Sequence, residues 1–207
     1  MKYLYLILLP VTLLLPAVTV GQSAFVDKGV NAFGVMVNYG TTGGTNRNDD
    51  ASVGGITLGF ASKGVVDVGG SIAWPLTSKS DNNYGVGVYA TVYPVKASRM
   101  GIPLSLAAGV AYASIGDDRE HSLDLIVSYE VNLIGNLFIQ PTIGGSFVDF
   151  GSEDARGRYP VGLPIYFASH PNSTFALSVS ASFSQEIAPV YSFGVGLVIG
   201  KSKMQVN

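Results

Sequence analysis

The stretch from Tyr191 to Gly200, YSFGVGLVIG, puts a large apolar side chain at every second position: Tyr191, Phe193, Val195, Leu197 and Ile199. Between them stand Ser192, Gly194, Gly196, Val198 and Gly200. A period of two describes a strand with two unlike faces. The second face here is slim and uncharged, where a strand bathed in water would carry ions. Few folds can use a strand that is bulky and apolar on one side and thin on the other.

The same period recurs along the chain, in segments 29–40, 52–61, 64–76, 84–95, 102–113, 122–133, 137–148, 160–169 and 174–184. With the opening stretch that makes about ten strands, each long enough to cross a bilayer at a tilt. Charged, Gly/Asn/Asp-rich links (TTGGTNRNDDA, TSKSDNN, SIGDDREH, GSEDARGRYP and the shorter SQEIAP) alternate with tight ones at Ser62-Lys63, KASRMG, IGN and HPNS. Alternating long and short links predict an all-β, up-and-down antiparallel transmembrane β-barrel of about ten strands, eight being the smaller option. Long loops then lie outside the cell and short turns in the periplasm, and an even strand count returns both termini to the periplasm.

A soluble, lipocalin-like barrel is the rival fold. It would turn the bulky row inward and show Lys, Glu, Arg and Asp to water. Only 13% of the residues are charged against 47% hydrophobic, and Asp67, Asp124 and Glu130 are the charges that fall well inside strand segments. Packing argues the same way. A lining of Gly, Ser and Ala closes compactly around a few larger groups, Tyr89, Tyr93, Phe138 and Tyr166, whereas Phe, Leu and Val from every strand would need great width. The bulky row is therefore expected to face lipid, with Tyr39, Trp74, Tyr84, Tyr112, Phe147 and Tyr191 in interfacial girdles. Candidate lumen-lining residues are Asp67, Tyr89, Tyr93, Asp124, Glu130 and Tyr166. Lys63, Lys96 and Arg99 at the short turns are the bases within reach of these acids.

The first residues, MKYLYLILLPVTLLLPAVTVGQSA, place one Lys before an apolar run that ends in small residues at Gly21, Ser23 and Ala24. This is the layout of a secretory signal, and Pro10 and Pro16 weaken the alternative of a retained anchor. The expected organisation is a signal peptide at 1–21, a barrel at 22–201 and a tail at 202–207. A chain of 207 residues with net charge -2 holds one domain and offers no electrostatic case for nucleic acid. With no Cys, disulfides, thiol catalysis, thiolate metal sites and lipoprotein acylation are excluded.

On the signal layout, the alternating strands and the aromatic-rich final strand from Tyr191, the chain resembles small bacterial outer-membrane barrel proteins, the OmpA-like or porin-family barrel domain. The resemblance covers most of the chain. It implies a Gram-negative outer membrane, contact with the bilayer and outer-membrane lipids, insertion by the barrel assembly machinery, a monomer, and no cofactor. Members usually end on an aromatic residue. Here GKSKMQVN follows Ile199, so Tyr191 and Phe193 are the nearest substitutes, and no peptidoglycan-binding domain is expected after the barrel.

Chemistry is thin. His121 stands beside Ser122 and near Asp124, a set reminiscent of outer-membrane lipid hydrolases that work with Ser as nucleophile and His as base. Neighbours on a strand point to opposite faces, which separates His121 from Ser122. His170 in SHPNST is accounted for by a Pro/Asn turn, and Asn172-Ser173-Thr174 is a glycosylation sequon of use only in a eukaryotic secretory host. GVGLVIG is no dinucleotide fingerprint, because the strand period runs through it and no helix follows. The acids in NDD and DDRE lack EF-hand spacing. The expected function is non-enzymatic, with no metal or cofactor: a porin-like small-solute channel, cation-favouring if the three interior acids line a water path, or a structural barrel. A loop-borne adhesin and a rim lipid hydrolase using His121 are the alternatives.

Overall fold

The computed structural model describes residues 29–42, 52–76, 84–96, 103–115, 118–149, 155–184 and 189–200. The expected signal peptide with its cleavage region at 21–24, the tail at 202–207, and most of the long links lie outside the described residues.

Twelve strand segments follow one another: β1 (Ala32–Thr42), β2 (Ser52–Ser62), β3 (Val66–Pro75), β4 (Gly85–Val95), β5 (Leu104–Ile115), β6 (Asp118–Tyr129), β7 (Val131–Ile134), β8 (Leu137–Ile139), β9 (Thr142–Val148), β10 (Arg156–His170), β11 (Ser173–Phe183) and β12 (Val190–Ile199). All pair antiparallel. β6 continues into β7 and β8 into β9, so the chain makes ten crossings, and β12 pairs with β1 to close a barrel.

Local chemistry explains the joints. Lys63 and Gly64 both have positive φ, 52° and 58°, and the Val65 amide bonds the Ser62 carbonyl at 3.1 Å. That is a two-residue type I′ turn, whose twist suits a hairpin. Gly135, at φ 56°, opens the two-residue turn joining β7 to β8. The interruptions within two crossings come from proline. Pro141 lies between β8 and β9, and Pro164 on β10 stands at the gap in the facing register. Neither has an N–H to give, so the ladder cannot run through. Their carbonyls are still used: Pro164 accepts the Gln140 amide at 2.8 Å and Pro141 accepts the Tyr129 amide at 3.0 Å.

Register sets the barrel's shape. From Tyr166, stepping partner to partner through Ala176, Gly196, Met36, Thr57, Ser71, Gly87 and Ala113 leads to Glu120. The other way round, through Phe138, leads to Asn132 on the same crossing, 12 residues further along. A shear of this size over ten strands tilts them by about 40°. Segments of this length then span about 25 Å, the height of a membrane barrel's apolar band.

The two faces separate cleanly. Val37, Leu58, Ile72, Val88, Val110, Leu125, Ile143, Val179 and Val195 are exposed on one side, while Asn38, Thr57, Ser71, Thr91, Ser105, Ser146, Ser178 and Ser192 are buried on the other. This is the lipid-out, small-and-polar-in arrangement of a transmembrane barrel. Glycine serves close approach at two places. A Cβ on Gly69 would sit 2.5 Å from the Tyr89 ring, which crosses it inside the barrel. Outside, Trp74 covers Gly54, where a Cβ would meet its indole nitrogen at 3.0 Å. Exposed aromatics stand at both ends: Tyr39, Tyr84, Tyr112, Tyr159 and Tyr191 ring the long-link end together with Phe147, Phe183 and Phe193, and Phe33, Phe60, Tyr129, Phe167 and Phe175 stand toward the short-link end.

Two strands begin earlier than their sequence patterns indicate. β6 starts at Asp118 instead of Ser122, and β10 at Arg156 instead of Pro160. Dense charge in these stretches looks like solvated loop, yet their alternation continues the inner row as Glu120, Ser122, Asp124 and as Arg156, Arg158.

The placement of the outward row is directly testable. Val195 lies mid-strand on that row, and Val195→Arg is expected to destabilise the barrel by about 2–4 kcal/mol. The measurement is the urea midpoint in phospholipid vesicles, followed by the shift in gel mobility between unheated and boiled samples. An unchanged midpoint would put Val195 out of contact with hydrocarbon.

Candidate functional site: the barrel interior

The inner row gathers side chains from every crossing. Asp67, Tyr89, Tyr93, Asp124 and Tyr166 are buried there, and Glu130 is half-buried at the break between β6 and β7. They do not form one cluster. Asp67 and Asp124 share a cross-strand row, separated by Thr91 and Gly109. Three strand spacings put them about 14 Å apart.

Two groupings are well defined. At the short-link end, Phe138 and Tyr166 stack with ring centroids 5.1 Å apart and planes 9° from parallel. The Tyr166 hydroxyl donates to Glu130 Oε2, and Met36, Ala32, Ala61, Ala176 and Val198 complete an apolar layer around the rings. The Gln140 amide donates to Ser128 Oγ at 2.9 Å. Lys96, almost fully buried, donates from Nζ to the Gly64 carbonyl at 2.7 Å.

At the long-link end stands a charged group. Arg158 forks onto Glu120, with Nη1 to Oε1 at 3.1 Å and Nη2 to Oε2 at 3.0 Å. Arg156 Nη2 reaches the same Oε2 at 3.0 Å and lies 3.7 Å from Asp149. The Glu120 side chain is fully buried. Below it, Ser122 Oγ donates to Asp124 Oδ2 at 3.2 Å. Bidentate Arg–carboxylate geometry is the strongest form such a pair takes. One carboxylate holds two guanidiniums, and Asp149 offsets part of the excess positive charge.

Sequence reasoning missed this group. The expectation that Asp67, Asp124 and Glu130 are the charges well inside strands is overturned by Arg156 and Arg158, both inside β10, and by Glu120 on β6, a fourth interior acid. The available signal was parity: Glu120 shares its phase with Asp124, and Arg158 shares its phase with Tyr166.

The rim chemistry resolves by faces. Ser122 is buried and bonded to Asp124, while His121 projects outward and lies 3.8 Å from Asp149. His170 Nδ1 accepts the Asn172 amide at 3.4 Å within the exposed 170–173 turn. Among the described residues, no group of three or more His and acidic side chains is placed to hold a metal ion. The acids of NDD fall outside the described residues.

This is a transmembrane β-barrel of the outer-membrane type, its interior polar and charged and its exterior apolar. No family model and no curated protein matches the chain. Solved structures with similar folds include the translocator domain of the autotransporter NalP from Neisseria meningitidis, at 10% identity over 83% of this chain and 88% of that one, TM-score 0.48. The COG4313 outer membrane channel from Pseudomonas putida F1 is similar at 9% identity over 84% and 96%, TM-score 0.47. The Yersinia pestis outer membrane protein Ail is similar at 10% identity over 82% and 99%, TM-score 0.36. With every TM-score below 0.5, the barrel assignment rests on the strand pairing and the two faces described above.

Breaking the buried ion group carries a definite expectation. Glu120→Ala leaves two arginines facing each other inside the barrel and is expected to lower stability by about 3–5 kcal/mol. The double variant Glu120→Leu/Arg158→Leu should cost less than the sum of its single changes. Urea titration of the four proteins measures the coupling, and additive effects would mean the pair is not coupled.

Proposed function

We propose that the chain is a non-enzymatic outer-membrane barrel, exported by a signal at 1–21, that conducts small polar solutes through a narrow lumen. The observation that carries this reading is the lining: Ser, Thr, Asn and Gln interrupted by charges of both signs, enclosed by a wall whose outer side is apolar. A polar interior behind a hydrocarbon-facing wall is costly unless water or ionic partners occupy it. Asp67, Tyr89, Tyr93, Asp124, Glu130 and Tyr166 line the path. Glu120 with Arg156 and Arg158 narrows it at the long-link end, and Phe138 with Tyr166 narrows it at the other.

The ionic balance favours weak selectivity. Three acids alone favour cations, but Arg156, Arg158 and Lys96 now stand against Asp67, Glu120, Asp124 and Glu130. A path that alternates sign discriminates poorly between small ions. Hydrolysis at the rim is disfavoured, since Ser122 is committed to Asp124 on the face opposite His121.

Planar-bilayer recording of the purified full chain tests the proposal. A small ohmic conductance with weak ion preference is expected, rising at least twofold in Glu120→Ala/Arg158→Ala. Absence of conductance in both proteins would sink the channel and leave a structural or loop-borne binding role.

A further inference from the structure

Proline is unevenly placed in the barrel wall. Within the described strands Pro75 and Pro94 stand at or beside a strand end, whereas Pro160 and Pro164 lie well inside β10. Both weaken the same seam. In an antiparallel ladder the amides of alternate residues point to alternate neighbours. The Gln140 amide bonds the Pro164 carbonyl at 2.8 Å, and the Ala168 amide bonds the Asn136 carbonyl at 3.0 Å. These bonds mark the even-numbered residues of β10 as those that exchange hydrogen bonds with the β8–β9 crossing. Of the seven such positions from Arg156 to Ala168, two are proline. Register sets Pro160 against Gly144 and Pro164 against Gln140, and the ladder lapses at both points. Neither proline has an N–H to give the carbonyl it faces. On the other side of β10, pairing with β11 runs unbroken from Tyr159 to Ala168.

The weak seam is also thinly covered. Ile143 and Gly145 face outward along it, and Thr142 and Gly144 face the lumen. A Cβ on Gly145 would meet nothing within 4 Å, and Ile143 is 61% exposed. On the lumen side, opposite Pro164, Gln140 is 2% exposed. Its Nε2 donates to Ser128, while its Oε1 has no hydrogen-bond partner among the described residues. A buried acceptor without a donor is costly. The seam that parts most readily therefore has an unanswered acceptor just inside it.

We propose that the seam between β10 and the β8–β9 crossing is a side gate between hydrocarbon and lumen. It admits a single-chain amphiphile whose uncharged head donates a hydrogen bond to Gln140 Oε1. Local opening is drawn from the least bonded part of a structure, and two missing donors put that part here. The apolar chain replaces wall contacts at Ile143 and Gly145 as the strands part, and a hydroxyl answers Gln140. An anionic head would bring acceptor to acceptor, with Asp124 and Glu130 on the neighbouring crossing. Side entry and axial flow use different openings, so the gate does not depend on conduction.

The chain has no Cys, so a single introduced thiol is unique. Thr142→Cys places one on the lumen side of the seam. Ser71→Cys places one inside the barrel on β3, where pairing to β2 and β4 is unbroken around it. Each full chain, folded into phosphatidylcholine vesicles, is treated with bilayer-soluble dodecylmaleimide or with water-soluble hydroxyethylmaleimide. The ratio of the two rates corrects for burial of the thiol. That ratio is expected to be at least fivefold higher for Thr142→Cys than for Ser71→Cys. Adding Pro160→Val and Pro164→Val restores both donors and should bring the ratio down to the Ser71→Cys value. Gel mobility before and after boiling confirms folding, and either proline change alone serves if the pair does not fold. Monododecylglycerol should slow the dodecyl reagent at Thr142→Cys at least threefold, and Gln140→Leu should remove that protection. Equal ratios at the two thiols, a ratio unchanged by the restored donors, or a Thr142→Cys thiol inert to both reagents would overturn the gate. Reaction with the polar reagent alone would also overturn it while leaving axial conduction standing. Protection that persists in Gln140→Leu would overturn the contact assigned to the head.

Discussion

Everything in this molecule follows from the cost of an unpaired peptide group in hydrocarbon. With no water to turn to, each backbone N–H and C=O on the wall must find its partner in a neighbouring strand, and only closure of the sheet removes the last edge. The ladder between β1 and β12 performs that closure. The same demand explains the conduct of the chain where proline withdraws a donor. At the break around Glu130 and Pro141 the ladder lapses, yet the carbonyls of Pro103, Pro141 and Pro164 all accept amides, the first from Glu130 at 2.8 Å. Regular pairing is lost there while hydrogen bonding is kept.

Once the backbone is satisfied, side chains partition by size and polarity. The outward row meets lipid and takes bulk. The inward row must fit within a ten-strand circumference and takes Gly, Ser, Ala and Thr, with room for a few aromatic rings. Charge is tolerated within only in company. The buried Glu120 exists because Arg158 forks onto it and Arg156 adds a second contact.

Much of this was legible in the sequence, for a simple reason: a period of two survives whatever the tertiary details. Phe193, Val195 and Leu197 announced the lipid row, and Asp67 and Asp124 fell on the opposite phase. What the sequence concealed was where loops end. Charge density marks both a solvated link and the polar mouth of a lumen, so DDREH and ARGRY looked like loops although their alternation had already begun. The interruption at Glu130 was hidden for a different reason. It arises where Pro141 meets the part of β10 that carries Pro164, and residues more than twenty positions apart declare their meeting only in the folded sheet.

The indole laid across Gly54 has a practical corollary. Trp74 is the one tryptophan of the chain, and it sits half-buried on the outer surface near the long-link end of the β2–β3 hairpin. Its fluorescence therefore reports one event, the arrival of that hairpin's far end at the opposite side of the bilayer. The chain carries its own clock for insertion, read without any added label.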